Sequence, residues 1–179
     1  MNRKQIDEFN RHLNYIQNNS PYYKRVLAAK GMANYAITKA EDIAELPITS
    51  KDELAAHNDE MRSCATGEIR DIVTTSGTLG SPVTIYVTDP DLDRLARNEA
   101  GSYRIAGCDS SDVFQLMTTI DKRFMAGLAY FLGVRKLGAS IVRSGPGALE
   151  LQWDCIERYN PTVLIAVPSF IPKLLDHAR

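Results

Sequence analysis

The stretch Asp112–Arg143, "DVFQLMTTIDKRFMAGLAYFLGVRKLGASIVR", decides how this chain folds. It opens on "DVFQLM" (112–117), a short apolar run that reads as a strand. Residues 124–137 then read as a helix, stopped by Gly138. "ASIVR" (139–143) is a second strand. A strand, a helix and a strand joined by short links form the sequence signature of a parallel βαβ unit. The pattern continues downstream. "ALELQWDCIERY" (148–159) reads as a helix, "TVLIAV" (162–167) as a buried strand, and "SFIPKLLDHA" opens a last helix with Ser169 as its cap. The expectation is a partial doubly wound βαβαβ sheet in the α/β class. Such sheets bind ligands beyond the carboxyl ends of their strands.

Upstream the texture differs. "DIVTTS" and "VTIYV" (83–87) are strand-like. "TDPDL" after them starts a helix, with Thr88 or Asp89 as cap and Pro90 in its first turn, running to about Ala106 before Gly107. Further back, Ile6, Phe9, Leu13 and Ile16 recur at helical spacing, so residues 3–18 read as an amphipathic helix. "SPYYKRVLAAKG" reads as a short helix ending at Gly31. Thr38 with Glu41, and Ser50 with Glu53, are candidate capping boxes. The organisation expected is a helical N-terminal region, residues 1–68, followed by a partial α/β subdomain, residues 69–179.

The bulk numbers bound the function. With 179 residues, 44% of them hydrophobic, the chain supports one core or one core with an appendage. A net charge of -1 gives no pull toward nucleic acid or a membrane surface. No apolar run is long enough to span a bilayer, and the first residues lack a secretory signal's apolar block. Cys64, Cys108 and Cys155 show no metal spacing and read as reduced thiols of a cytoplasmic protein. His12, His57 and His177 are scattered and suggest no triad.

Between the two upstream strands lies "TTSGTLGSP", Thr74–Pro82. Gly77 and Gly80 permit positive φ and close approach, and successive N–H groups in such a turn make a nest for anionic oxygens. Thr74, Thr75, Ser76 and Thr78 add hydroxyl donors, and Pro82 fixes the exit. Phosphate is the natural guest; a tight hairpin loop with hydroxyl-rich turn chemistry is the alternative. No lysine follows Gly80, so this is not a Walker A loop, and no GxGxxG is present.

"TTSGTLGSPV" resembles the phosphate-binding loop of the adenylate-forming superfamily of acyl- and aryl-CoA ligases, roughly [ST][ST]GT[ST]GxP. Other segments resemble its phenylacetate–CoA ligase branch. "NNSPYYKRVLAAKG" is similar to that branch's "SPFY" helix region, and "LPITSKDEL" to its "LPFTTKEDL" segment. "VTDPDLDRLARNEA" is similar to the helix after the loop. "KLGASIVRSGPGALELQWDCIERYNPTVLIAVPSFIPKLL" looks like its "GAxxIPxSGG…PTVLxxTPSY" region. The resemblance runs from about residue 10 to the end.

The resemblance implies an acid–thiol ligase. Such an enzyme activates a carboxylate with Mg-ATP to an acyl-adenylate, releases pyrophosphate, and passes the acyl group to coenzyme A. Carried onto this chain, the phosphate site is Thr75, Ser76, Gly77, Thr78 and Gly80. Leu79 stands where the family has Thr or Ser, and Ser81 where many members have Lys. The acyl pocket falls on Phe124, Met125, Pro168 and Ser169, although core packing for the first two and a helix cap for Ser169 are the plainer readings. Asp121, Lys122 and Arg123, in a segment lacking the branch's Tyr-Gly run, read as a solvated turn or as a sign of a different acid. "SGPG" (144–147) either borders a nucleotide or CoA site or is a plain strand-to-helix turn. Trp153 is expected to pack on the sheet. The family's adenine and ribose segments, hinge and C-terminal lysine domain lie beyond the matched region, so the catalytic residues are expected outside this chain and the chain alone is expected to be inactive. The implied substrate is a small aryl or arylacetic acid. An unpaired sheet edge after 162–167 leads us to expect homo-oligomers. Transfer of the acyl group to a carrier protein, or a non-catalytic nucleotide-binding module, are the alternatives.

Overall fold

A computed structural model describes residues 1–75 and 82–177. They divide into two compact units: residues 1–69 with 75–86, and residues 70–74 with 87–177.

The first unit is helical. Helix α1 (Arg3–Asn19) is capped by Asn2, whose side chain accepts from the Gln5 N–H while Gln5 accepts from the Asn2 N–H. Buried Ser20 closes α1 and caps α2 (Pro21–Ala29), with Pro21 at the tolerated first position. Its hydroxyl also donates to the Glu60 carbonyl at 3.0 Å. Ser50 and Glu53 form the expected capping box on α3 (Lys51–Ala56). At Thr38 the expectation needs correction. The acceptor is Asp42, not Glu41: its carboxylate takes the N–H and hydroxyl of Thr38 at 2.7 and 2.8 Å and the Lys39 N–H at 3.1 Å. The cap of this turn, 40–45, is Lys39 rather than Thr38, so Asp42 stands three residues after the cap and its carboxylate also reaches the residue before it.

Two amide side chains on α1 grip the segment that follows α2. Asn10 exchanges a pair of hydrogen bonds with the backbone of Ile37, both 2.8 Å, and Gln17 does the same with Tyr35 at 3.0 and 3.1 Å. Seven residues apart, they sit two turns along one helix face. Each amide presents the donor and acceptor that a neighbouring strand would offer. Leu13, between them, is buried with Tyr22, Leu27 and Ile37.

The second unit contains the three-stranded sheet. Strands β1 (Ile69–Thr74) and β2 (Thr84–Thr88) form a two-stranded sheet of their own. Thr88 then caps α4 (Asp89–Ile105), with Asp91 accepting from the Thr88 N–H and hydroxyl. Strands β3 (Val113–Leu116), β4 (Ser140–Arg143) and β5 (Val163–Ile165) pair in the order β4-β3-β5, all parallel. Helices α5 (Met125–Leu137) and α6 (Leu149–Tyr159) make the crossovers, and α7 (Phe170–His177) follows.

The chain moves from β3 outward to β4, then back past β3 to β5. Right-handed crossovers of opposite direction put their helices on opposite faces. The alternation along β3 agrees. Phe114 points into the core made with Ala100 of α4 and Val134 and Leu137 of α5. Gln115 points the other way and bonds Gln152 on α6. The sheet is doubly wound, as the sequence pattern led us to expect.

Close helix packing depends on two glycines. A Cβ at Gly133 would lie 2.3 Å from the Glu99 Cβ, so α4 and α5 touch through the missing side chain. A Cβ at Gly127 would lie 1.8 Å from the Thr119 carbonyl oxygen, so the segment leaving β3 lies against the first turn of α5.

Two further expectations need correction. The last strand is not buried throughout: Val163 and Ile165 pack on the core, but Leu164 is 42% exposed. It registers with Gln115 and so lies on the α6 face, where α6 packs over β3. Trp153, expected to pack on the sheet, donates its indole N–H to the Leu174 carbonyl of α7 at 3.0 Å. Phe124 is not core; it is 44% exposed.

Candidate ligand site

The carboxyl ends of β3 and β5 are the place to look. With strand order β4-β3-β5, the crossovers from the β3 side and into β5 leave toward opposite faces, so the switch point falls between these two strands. The Met117 N–H donates to the Ile165 carbonyl at 2.9 Å, so pairing persists to the last residue of β5. Two segments leave this edge: residues 117–124 from β3, and 166–169 from β5.

The first segment is a strained turn. Lys122 and Arg123 both have positive φ, 59° and 62°. For residues with a Cβ, each such conformation costs about 1–2 kcal/mol. Strained backbone persists only where its surroundings fix it. Here the turn is held at both ends. The Thr74 N–H, at the end of β1, donates to the Arg123 carbonyl at 3.2 Å, and the Phe124 N–H donates to the Asp121 carbonyl at 3.1 Å. A hydrogen bond from the Thr119 hydroxyl keeps the Asp121 carboxyl below the usual range. Asp121, Lys122 and Arg123 all face solvent, in line with the solvated-turn reading.

Of the pocket residues expected from sequence, Phe124 and Met125 begin α5 and Pro168 and Ser169 follow β5. The fold therefore brings all four to the same edge of the sheet. Phe124, Pro168 and Ser169 are exposed there, and Met125 is half-buried. The start of α7 is tied by backbone, with the Phe170 N–H donating to Val167 and Ile171 to Pro168. Val167 adds an apolar side chain, 57% exposed.

For the phosphate loop, the structure describes one of the nominated residues. Thr75 N–H donates to the Val83 carbonyl, and the Val83 N–H donates back to Thr75 Oγ1, both at 3.0 Å. Asn58 holds the next residue, exchanging two bonds with the Thr84 backbone at 2.8 and 2.9 Å. The base of the loop is thus clasped by a threonine side chain. Ser76, Gly77, Thr78 and Gly80 lie outside the described residues. The donor set of the loop, hydroxyls and glycine N–H groups on a closed base, suits phosphate oxygens. No carboxylate lies between Thr74 and Pro82, so a magnesium ligand from this loop would have to be a hydroxyl or a backbone carbonyl.

Sequence reasoning missed a third group. Buried Gln115 and Gln152 and half-buried Ser144 form a hydrogen-bonded cluster under the 144–147 loop. Two glutamines inside apolar runs were the available signal. Burial pushes the thiols of Cys108 and Cys155 up, which argues against nucleophilic roles for them. Among the described residues no helix is long and apolar enough to cross a membrane.

The fold defines a class: it is that of the N-terminal part of adenylate-forming CoA ligases. A 2-hydroxyisobutyryl-CoA ligase solved in an open conformation with 2-HIB-AMP and CoA superimposes with a TM-score of 0.84 at 20% identity, over 97% of this chain and 42% of that one. O-succinylbenzoate CoA synthetase (MenE) from Bacillus subtilis, solved with AMP, gives a TM-score of 0.51 at 17% identity, over 73% of this chain and 37% of that one. In sequence, the chain is similar to particular ligases. It is 26% identical to the phenylacetate-coenzyme A ligase of Aromatoleum evansii over 173 residues, which is 96% of this chain and 39% of that protein. It is also 26% identical to the Pseudomonas putida enzyme of the same name, over 98% of this chain and 40% of that protein. No family model matches the sequence. The chain spans about two fifths of the length of the curated relatives it matches.

Proposed function

We propose that this chain is the N-terminal part of a cytoplasmic ATP-dependent carboxylate–CoA ligase acting on an aryl or arylacetic acid. In the reaction, a carboxylate oxygen attacks the α-phosphorus of ATP, the bond to the β-phosphate breaks, and pyrophosphate leaves. The CoA sulfur then attacks the acyl carbon and AMP leaves. Thr75, Ser76, Gly77, Thr78 and Gly80 hold the ATP phosphates with N–H and hydroxyl donors, stabilising charge on the departing pyrophosphate. Phe124, Met125, Pro168 and Ser169 border the acyl group at the carboxyl edge. Magnesium, bound with ATP, screens the phosphate charge.

The observation that carries this reading is collinearity. Likeness to phenylacetate-CoA ligases extends over 96% and 98% of the chain, and the fold agrees over 97% of it. The clasped base at Thr75 and Val83 supports the loop assignment from independent geometry. Nucleotide titration of Gly77→Val and Gly80→Val variants tests it. Affinity should fall at least about tenfold while helical circular dichroism is kept, because a Cβ blocks the close backbone approach. Unchanged affinity would make the loop a structural turn.

A further inference from the structure

Gln115 sits at the centre of the middle strand and is fully buried. Its Nε2 donates to the Gln152 Oε1 at 2.9 Å, to the Gln152 carbonyl at 3.1 Å, and to Ser144 Oγ at 3.4 Å. Gln152, on α6 and equally buried, donates from its Nε2 to the carbonyls of Gly145 and Gly147, at 2.9 and 3.2 Å. Ser144 Oγ lies 2.6 Å from Gln152 Oε1 and 3.2 Å from the Leu116 carbonyl. The loop they hold, Gly145–Gly147, leaves β4 at its carboxyl end. It runs through positive φ at Gly145, Gly147 and Ala148, 70°, 84° and 29°. Ala148 has no glycine's freedom there, so something outside the loop must fix it.

This cluster is a poor way to stabilise a core. Gln115 Oε1 is buried with no hydrogen-bond partner among the described residues. An unsatisfied buried acceptor loses its hydration without a replacement bond and is destabilising. Two of the three acceptors that Gln115 serves have another donor within reach. Gln152 Oε1 has the Ser144 hydroxyl, and the Gln152 carbonyl has its own helix. An apolar side chain of similar length would avoid the orphaned oxygen and forfeit only the long contact to Ser144 Oγ, whose own hydroxyl still donates to Gln152.

We propose that Gln115, Ser144 and Gln152 are positioning residues that lock the Gly145–Ala148 loop as a rigid wall of the ligand crevice, at the expense of stability. That the loop faces ligand rests on the proposed function; that the cluster fixes the loop does not. Gln152 makes the contact, Ser144 closes it from β4, and Gln115 holds the Gln152 amide in the one orientation that aims Nε2 at both carbonyls.

The test is amide exchange by NMR on this chain, reading Gly145, whose N–H donates to the Leu116 carbonyl, against Phe114 in the core strand. In Gln115→Met, Gly145 exchange should rise about tenfold or more while Phe114 exchange and the melting temperature are unchanged or improved. In Gln152→Leu, Gly145 should exchange faster still. Two results overturn the proposal: Gly145 exchange unaltered in Gln115→Met, or Gly145 and Phe114 accelerating together, which marks a merely structural role. Nucleotide titration of the same samples reports separately on the proposed function, since failure to bind leaves the exchange result intact.

Discussion

The two units are specified by opposite devices. In the helical unit, buried or half-buried amides grip backbone completely: Asn10 and Ile37, Gln17 and Tyr35, Asn58 and Thr84 each exchange two hydrogen bonds. In the sheet unit, the amide at the centre of β3 is left half-satisfied, and the left-handed residues, among those described, other than glycine and the tolerant Asn34 and Asn160 are Lys122, Arg123 and Ala148. Satisfied polar groups hold a scaffold; unsatisfied and strained ones mark where geometry has been chosen over stability. The strain lies on segments leaving the carboxyl ends of β3 and β4, the side where open parallel sheets take ligands.

The contrast can be broken most severely at the glycines. Gly127→Val should cost about 3 kcal/mol or more, because its Cβ meets backbone at Thr119 that cannot swing aside. Urea unfolding reads the loss, and Gly133→Val, which meets the Glu99 side chain, should cost less. Next comes the helical unit. Asn10→Leu leaves the Ile37 N–H and carbonyl without their partner and should cost about 1–3 kcal/mol. Limited proteolysis should then cut between residues 31 and 40, the segment Asn10 and Gln17 hold.

Acid should also act on this unit. Hydrogen bonds from Thr38 hold Asp42 below the usual carboxylate range, those from Ser50 hold Glu53 down, and those from His57 and Arg25 hold Glu60 down. Carboxyls with depressed folded pKa values contribute stability above their unfolded values and lose it as pH falls through the folded ones. Melting temperature should therefore drop as pH falls below about 4.3, the ordinary glutamate value. Asp42→Asn should flatten that dependence. The smallest effect sharpens the contrast from the other side. Lys122→Gly should leave stability unchanged or raise it by up to about 1 kcal/mol, since glycine relieves positive φ while losing more chain entropy.

Much of the fold was legible because periodicity and punctuation agree. The alternation of apolar strands with helices ending at Gly107 and Gly138 specified βαβαβ, and Ser20, Ser50 and Thr88 marked helix starts. Burial of the last strand was over-read, because an apolar run does not reveal which face a helix will cover. Phe124 was misplaced because hydrophobicity says nothing about a strained turn that pushes a ring outward. The Gln115–Ser144–Gln152 cluster was missed because two glutamines inside apolar runs do not reveal their partners, and its members meet only once the crossovers close. At the candidate site, the family resemblance suggested the four edge residues, but only the strand order put them on one edge.

The most direct test of the central claim is carboxylate-dependent pyrophosphate release. The polypeptide carrying this segment would be isolated at its native length and supplied with Mg-ATP, CoA and phenylacetate or other aryl acids. The account predicts pyrophosphate release matched by acyl-CoA formation, and none from the 179-residue chain alone. Release by the isolated chain would contradict its place as part of a larger ligase. A native-length protein that releases no pyrophosphate with any carboxylic acid would contradict the ligase assignment itself.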